Sequence, residues 1–205
     1  ALRRALLAAT AVIAAGGTAE AAGWYAGLEA GANWTDDVGV QLYATPAASP
    51  FDLTGRFDNG WTLIATVGYA MQHWRVEAEA AWRSNDKDRF TALPISTGEL
   101  NGLSVMYNMT YAFPLGDGLN LALGGGGGLD YETLDIVNIN DGDLCLAAQG
   151  IATLDYVLSP STELTLGYRY LWVLDPDFVD NGVRYSFDDL SKHALTLGVR
   201  YTFAP

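Results

Sequence analysis

Trp74-Arg75-Val76-Glu77-Ala78-Glu79-Ala80-Ala81-Trp82-Arg83 is the stretch whose reading decides the fold. Its even positions are apolar or small, and its odd positions carry Arg75, Glu77, Glu79 and Arg83 with only Ala81 between. Successive side chains of a β-strand point to opposite faces, so a period of two gives this stretch one apolar and one charged face. A tryptophan stands near each end of the apolar face.

Seven other stretches repeat the pattern: 23–34, 61–69, 102–113, 119–131, 145–157, 163–172 and 192–203. In 23–34, Trp24, Ala26, Leu28, Ala30, Ala32 and Trp34 oppose Tyr25, Gly27, Glu29, Gly31 and Asn33. The eight segments are each near the roughly 9–11 residues a tilted membrane strand needs. Their connections alternate in length. Long ones run over about 35–60, 84–101, 132–144 and 173–191, and short ones over 70–73, 114–118 and 158–162. Long loops on one rim and short turns on the other predict an all-β, eight-stranded antiparallel up-and-down transmembrane barrel, with both termini on the short-turn rim.

Which face points outward follows from the aromatics and the charges. Trp24, Trp34, Trp61, Trp74, Trp82 and Trp172 all lie at segment ends on the apolar face. Membrane interfaces favour two such belts of amphipathic rings. Every charged residue of the eight segments falls on the other face: Glu29, Arg75, Glu77, Glu79, Arg83, Asp130, Asp155, Glu163, Arg169, Lys192 and Arg200. Their companions are mostly Gly, Ala, Ser and Thr, which suit a narrow lumen better than a solvated surface. The apolar face is therefore expected to meet lipid.

Among 205 residues, 24 are Asp or Glu and 11 are Lys or Arg, a formal net charge of −13. So few bases exclude a nucleic-acid partner, which needs clustered cations. The single Cys145 leaves no internal disulfide or Cys-based zinc site. No metal and no other cofactor is expected. At the N-terminus, Arg3 and Arg4 precede an apolar run to Gly17 and then Thr18-Ala19-Glu20-Ala21. This is the order of a secretory signal peptide, expected over 1–21 with the barrel domain over 22–205.

Gly23-Trp24-Tyr25-Ala26-Gly27, Gly167-Tyr168-Arg169-Tyr170 and the closing Gly198-Val199-Arg200-Tyr201-Thr202-Phe203 resemble small eight-stranded outer-membrane surface proteins of the OmpA-transmembrane-domain and opacity-protein type. The resemblance implies a bacterial outer-membrane location, with loops outside the cell and termini in the periplasm. It also implies insertion by the barrel-assembly machinery, with Gly198, Tyr201 and Phe203 as the assembly signal. Ala204 and Pro205 depart from that signal, which usually ends on the aromatic.

An eight-stranded barrel is only wide enough inside for side chains. Isolated charges there are costly, so Glu29, Arg75, Glu77, Glu79, Arg83, Glu163, Arg169 and Arg200 are expected to form an ion-pair network that plugs the lumen. Function then falls to the acidic loops, as a structural or surface-interaction role without catalysis. A narrow channel or transporter for small or apolar solutes is the alternative; it would need a lumen stripe, for which Ile64, Met106, Ile151 and Leu171 are the candidates. A soluble lipocalin-like carrier ranks third. An enzyme ranks lower. Lipid A deacylases carry His before Ser on the lipid-facing wall, whereas Ser191 precedes His193 here, with Asp188 and Asp189 nearby.

Acidic runs at Asn138, Asp141 and Asp143, and at Asp175, Asp177 and Asp180, lack the spacing of a Ca²⁺ loop and are expected to be solvated. So is His73. Pro46, Pro50, Phe51 and Phe57 offer a mixed contact surface. Gly125, Gly127, Ala148, Gly150 and Ala152 form a small-residue groove on the lipid face, suited to an acyl chain or another membrane protein, with sheet curvature or cover by a neighbouring aromatic as the alternative. The partners expected are thus outer-membrane lipid and lipopolysaccharide, the assembly machinery, and a second membrane protein at the groove.

Overall fold

The computed structural model describes residues 20–43, 51–57, 59–90, 98–136, 139–180 and 183–203. The signal segment expected over 1–21 lies outside these except for Glu20 and Ala21, which open the first strand. None of the described residues is helical. The strands are β1 (Glu20–Thr35), β2 (Val38–Tyr43), β3 (Phe51–Phe57), β4 (Gly60–Gln72), β5 (Trp74–Phe90) and β6 (Gly98–Gly116). They continue with β7 (Leu119–Ile136), β8 (Ile139–Ser159), β9 (Thr162–Val173), β10 (Asp177–Asp180), β11 (Val183–Phe187) and β12 (Leu190–Thr202).

Eight of them close a barrel in the order β1-β4-β5-β6-β7-β8-β9-β12, all antiparallel, with β5–β6 pairing completing the ring. Following directly paired residues around it, Trp34 meets His193, then Tyr170, Gly150, Gly125, Met109, Val76 and Tyr69, and arrives back on β1 at Trp24. The circuit returns ten residues from its start. With strands about 4.8 Å apart and a rise of about 3.3 Å per residue, that stagger tilts the strands by about 40° and sets a backbone radius of about 8 Å.

Four strands extend four others rather than filling loops. The β1–β12 ladder ends at Thr35 opposite Lys192 and resumes five residues on as Val40 opposite Phe187. β1–β4 ends at Asn33 opposite Gly60 and resumes as Val38 opposite Gly55. β9–β12 ends at Val173 opposite Leu190 and resumes as Asp177 opposite Ser186. Of the long connections, 35–60, 132–144 and 173–191 are therefore largely paired strand, and the wall also runs into 84–101 as far as Phe90 and from Gly98. This corrects the expectation of loops. Asp, Gly and Pro at the breaks interrupt the alternation that marks a strand, yet β2 keeps it as Val38, Val40 and Leu42. Across Asp36 and Asp37 the buried face shifts from odd positions (Asn33, Thr35) to even ones (Val38, Val40), and across Asp188 and Asp189 from even (Leu190, Lys192) to odd (Phe187).

On the other rim the turns are tight. Gly116 and Gly118 adopt φ of 98° and 77° beside Asp117 at 52°, a left-handed backbone in which glycine carries no Cβ penalty. His73, expected to be solvated, instead stacks on Tyr111 with ring centroids 5.6 Å apart.

The outer wall is apolar. Trp24, Leu28, Leu63, Val67, Val105, Tyr107, Leu146 and Leu197 are exposed on it, while Thr62, Ile64, Thr66, Arg75, Glu77 and Glu79 from the intervening positions are buried in the lumen. An exposed apolar surface of this extent marks a membrane contact. Trp24 and Trp34 lie ten residues apart on β1, which at this tilt separates them by about 25 Å along the barrel axis, the height of a membrane band.

Candidate functional site: the charged lumen

Twelve charged side chains are buried in the lumen among the described residues: Arg75, Arg83, Arg169, Lys192 and Arg200 against Glu29, Glu77, Glu79, Asp130, Glu132, Asp155 and Glu163. They form three tiers.

Near the short-turn rim, Arg75 Nη1 donates to Asp155 Oδ2 at 2.5 Å and Nη2 to Glu163 Oε2 at 3.4 Å. Arg200 Nη1 reaches the same two carboxylates at 3.1 and 2.7 Å. Its guanidinium lies 5.2 Å from the centre of the Tyr25 ring, and the Tyr25 hydroxyl donates to Glu77 Oε1 at 2.7 Å. A vestibule of about 290 Å³ opens onto this tier between the turns; Arg75, Glu163 and Arg200 line its inner end.

Arg169 holds the middle tier. Nη1 and Nη2 grip both oxygens of Glu29 at 2.8 Å each, and Nε donates to Glu79 Oε2 at 3.1 Å. The Thr196 hydroxyl donates to Glu29 at 2.6 Å; Asn108 and Gln149 amides donate to Glu79 at 3.0 and 3.2 Å. β9 and β5 are four strands apart in either direction round the ring, so this one guanidinium ties opposite walls. The small neighbours make room: a Cβ on Gly167 would fall 2.7 Å from Glu29 Oε2 and 3.0 Å from Arg169 Nη1.

Towards the long rim, Lys192 of β12 crosses the lumen to Glu132 of β7. Arg83 donates to Ser104 at 2.6 Å, and Ser104 pairs with Asp130 on the adjacent strand. Glu132 was assigned by its sequence to the acidic loop 132–144. Its place two residues after Asp130, on the same face of a strand that continues to Ile136, was the signal that would have found it.

An apolar cluster lies against this tier. Leu100, Met106, Cys145, Ala147, Leu171, Val173 and Leu190 of the barrel pack with Val38 and Val40 of β2 and Phe187 of β11. Met106 and Leu171 thus join a packed cluster at one end, whereas Ile64 and Ile151 are buried outside it. Cys145 is buried, 3.5 Å from Asp143 Oδ2.

The six tryptophans lie on the outer wall, Trp24, Trp61, Trp74 and Trp82 exposed and Trp34 and Trp172 half-buried. Gly198, Tyr201 and Phe203 lie in or directly after β12; Phe203 donates its N–H to the Trp24 carbonyl at 2.8 Å, closing the seam between the chain ends. Ser191 and His193 face outward, but they do not face each other as nucleophile and base. Tyr170 Oη engages Ser191 Oγ at 2.8 Å, and the His193 ring nitrogens are taken by Tyr168 at 2.8 Å and Asp36 at 3.3 Å. No group of three or more His, Cys, Asp or Glu is placed to hold a metal among the described residues. Asn138 and the side chains of Phe51, Phe57, Asp141 and Asp180 lie outside the description, as do Pro46 and Pro50.

Residues 5–203 match the family described as outer membrane protein beta-barrel domain. The chain belongs to this family. As an outer-membrane β-barrel of the small eight-stranded type, it is similar in fold to neisserial surface protein A, with 15% identity over 88% of this chain and 97% of that one and a TM-score of 0.56. It is similar to the outer membrane protein OprG of Pseudomonas aeruginosa, at 17% identity, 92% and 99% coverage and a TM-score of 0.60. It is also similar to the outer membrane protease OmpT of Escherichia coli, at 8% identity, 92% and 99% coverage and a TM-score of 0.50. A surface protein and a protease are both similar to this chain in fold, so the barrel alone does not carry the activity. No curated protein sequence matches the chain.

Proposed function

We propose that this outer-membrane barrel is a closed wall with a structural or surface-interaction role, acting through its long acidic rim and without catalysis. The observation that carries the reading is Arg169, which bridges Glu29 and Glu79 across the middle of a lumen about 8 Å in backbone radius. Above it, the Lys192–Glu132 pair and the apolar cluster occupy the interior, so a wide aqueous path has no room. Asp36, Asp37, Asp143, Asp175, Asp177, Asp188 and Asp189 sit where the strands break or near those breaks, a ring of acid suited to a partner with a basic surface.

In this reading the rim faces outside the cell and the short turns and both termini face the periplasm. The leader 1–21 is removed on export, and the assembly machinery engages Gly198, Tyr201 and Phe203. Lipid and lipopolysaccharide cover the apolar wall. A channel for small or apolar solutes is less favoured, because Met106 and Leu171 pack into the cluster at one end while Ile64 and Ile151 stand outside it, so the four do not make one continuous stripe.

Recording in planar bilayers tests the closure. The purified barrel should give no stable conductance of general-porin size; such a conductance in the wild-type protein would overturn the reading.

A further inference from the structure

A polar cluster on the outer wall stands apart from the closed lumen. His193, Ser191, Tyr168 and Tyr170 all point outward from β12 and β9. Asp36 Oδ2 lies 3.3 Å from His193 Nε2, Tyr168 Oη lies 2.8 Å from Nδ1, and Tyr170 Oη lies 2.8 Å from Ser191 Oγ. Trp34 stacks on the His193 ring, with centroids 5.3 Å apart and planes 8° from parallel. This places the cluster at the rim-side aromatic belt.

The same two tyrosines wall a trough. Tyr170 pairs with Gly150 and Tyr168 with Ala152 on β8; Gly150 pairs in turn with Gly125, and Ala148 with Gly127, on β7. On the far side stand Tyr107 and Met109, both exposed, opposite Gly127 and Gly125. A Cβ at Gly150 would meet nothing within 4 Å, and one at Gly127 only the Ala147 carbonyl at 3.6 Å. The floor is therefore open wall. At Gly125 a Cβ would fall 2.6 Å from the Gln149 carbonyl, so there glycine is required by the backbone itself.

We propose that the trough and the cluster form a single lipid site, which binds one glycolipid with its acyl chain between Tyr107 and Tyr168 and its sugar headgroup on the Tyr170–Ser191 and Tyr168–His193–Asp36 pairs. The polarity order selects this occupant. The trough lies within the apolar band and takes only an apolar body, and the hydroxyls begin where the band ends. Phenol and serine hydroxyls each keep spare hydrogen-bonding capacity, and with the stacked indole they match a ring of sugar hydroxyls better than a phosphate, which would call for Arg or Lys. The site rests on the outer-membrane placement proposed above and names the lipid class that the wall selects.

The test uses the full barrel in nanodiscs containing equal parts phosphatidylethanolamine and monoglucosyl diacylglycerol, with retained lipid identified by native mass spectrometry. The wild type should keep one glucosyl lipid in preference to phosphatidylethanolamine. Ser191→Ala with Tyr170→Phe should still keep a lipid but lower that preference roughly tenfold, as expected for losing one or two hydrogen bonds. Gly150→Leu should lose both lipids while keeping its folded mobility in an unheated gel. Gly127→Ala with Gly150→Ala, which fits the open wall, serves if leucine prevents folding, and should reduce retention of both lipids. Equal retention across wild type and variants overturns the site. So does a second polypeptide, extracted with the wild type from native membranes and released by the glycine variants. Lipid retention is read apart from conductance, so this site and the closed lumen fail separately.

Discussion

Replacing Arg169 by methionine removes a side chain that ties β9 to both β1 and β5. Glu29 and Glu79 then remain buried, 6% and 1% exposed, without their cation. Breaking a buried ion pair from one side costs about 3–5 kcal/mol, because a charge is left uncompensated. Thr196 still donates to Glu29, and Asn108 and Gln149 to Glu79, so the expected loss is at the lower end, about 3 kcal/mol. For a urea slope of about 1–3 kcal/mol per molar, the unfolding midpoint in lipid vesicles falls by about 1–3 M. Tryptophan fluorescence follows the transition. Adding Glu29→Gln and Glu79→Gln to Arg169→Met removes the stranded charges and should restore most of the loss. A single variant costing less than about 1 kcal/mol, the range of solvent-screened pairs, would refute the reasoning, since the lumen would then be wet and screened.

The same unfolding assay distinguishes the glycines of β7: Gly124→Ala and Gly128→Ala, whose Cβ atoms would fall 2.1 Å from carbonyls of β6, should destabilise clearly, while Gly127→Ala should be neutral or slightly stabilising. Lys192→Met should destabilise and Lys192→Met with Glu132→Gln should recover; if the pair recovers nothing, Glu132 does not depend on Lys192. Depth-dependent quenching by brominated lipids should place Trp24 and Trp74 on one side of the bilayer and Trp34, Trp61, Trp82 and Trp172 on the other, about 25 Å away; any of them at the midplane contradicts the two belts. In whole cells an impermeant thiol reagent should label Asp52→Cys, exposed on β3, and spare Asp117→Cys in the short-turn rim, and the reverse pattern would invert the proposed orientation.

Much of the wall was legible beforehand because membrane and lumen impose opposite demands on alternate residues. Trp74, Val76, Ala78 and Ala80 against Arg75, Glu77 and Glu79 state both demands within seven residues, and each is a local choice. Beyond the membrane the contrast weakens. Water outside the rim allows Val38 and Val40 to turn inward beside a broken pleat, so the strand extensions read as loops and Glu132 as one loop acid among several.

The residue pattern by itself determined the eight wall strands, their faces, the two belts and the confinement of the charges, since period and burial are properties of a single strand. Which charges meet was decided only by closure. Arg169 finds Glu29 140 residues away and Glu79 90 residues away, because a stagger of ten residues brings those positions of β9, β1 and β5 to one height. The trough meets the His193 cluster for the same reason. Stagger is a property of the closed ring, summed over eight pairings, and no single strand encodes it.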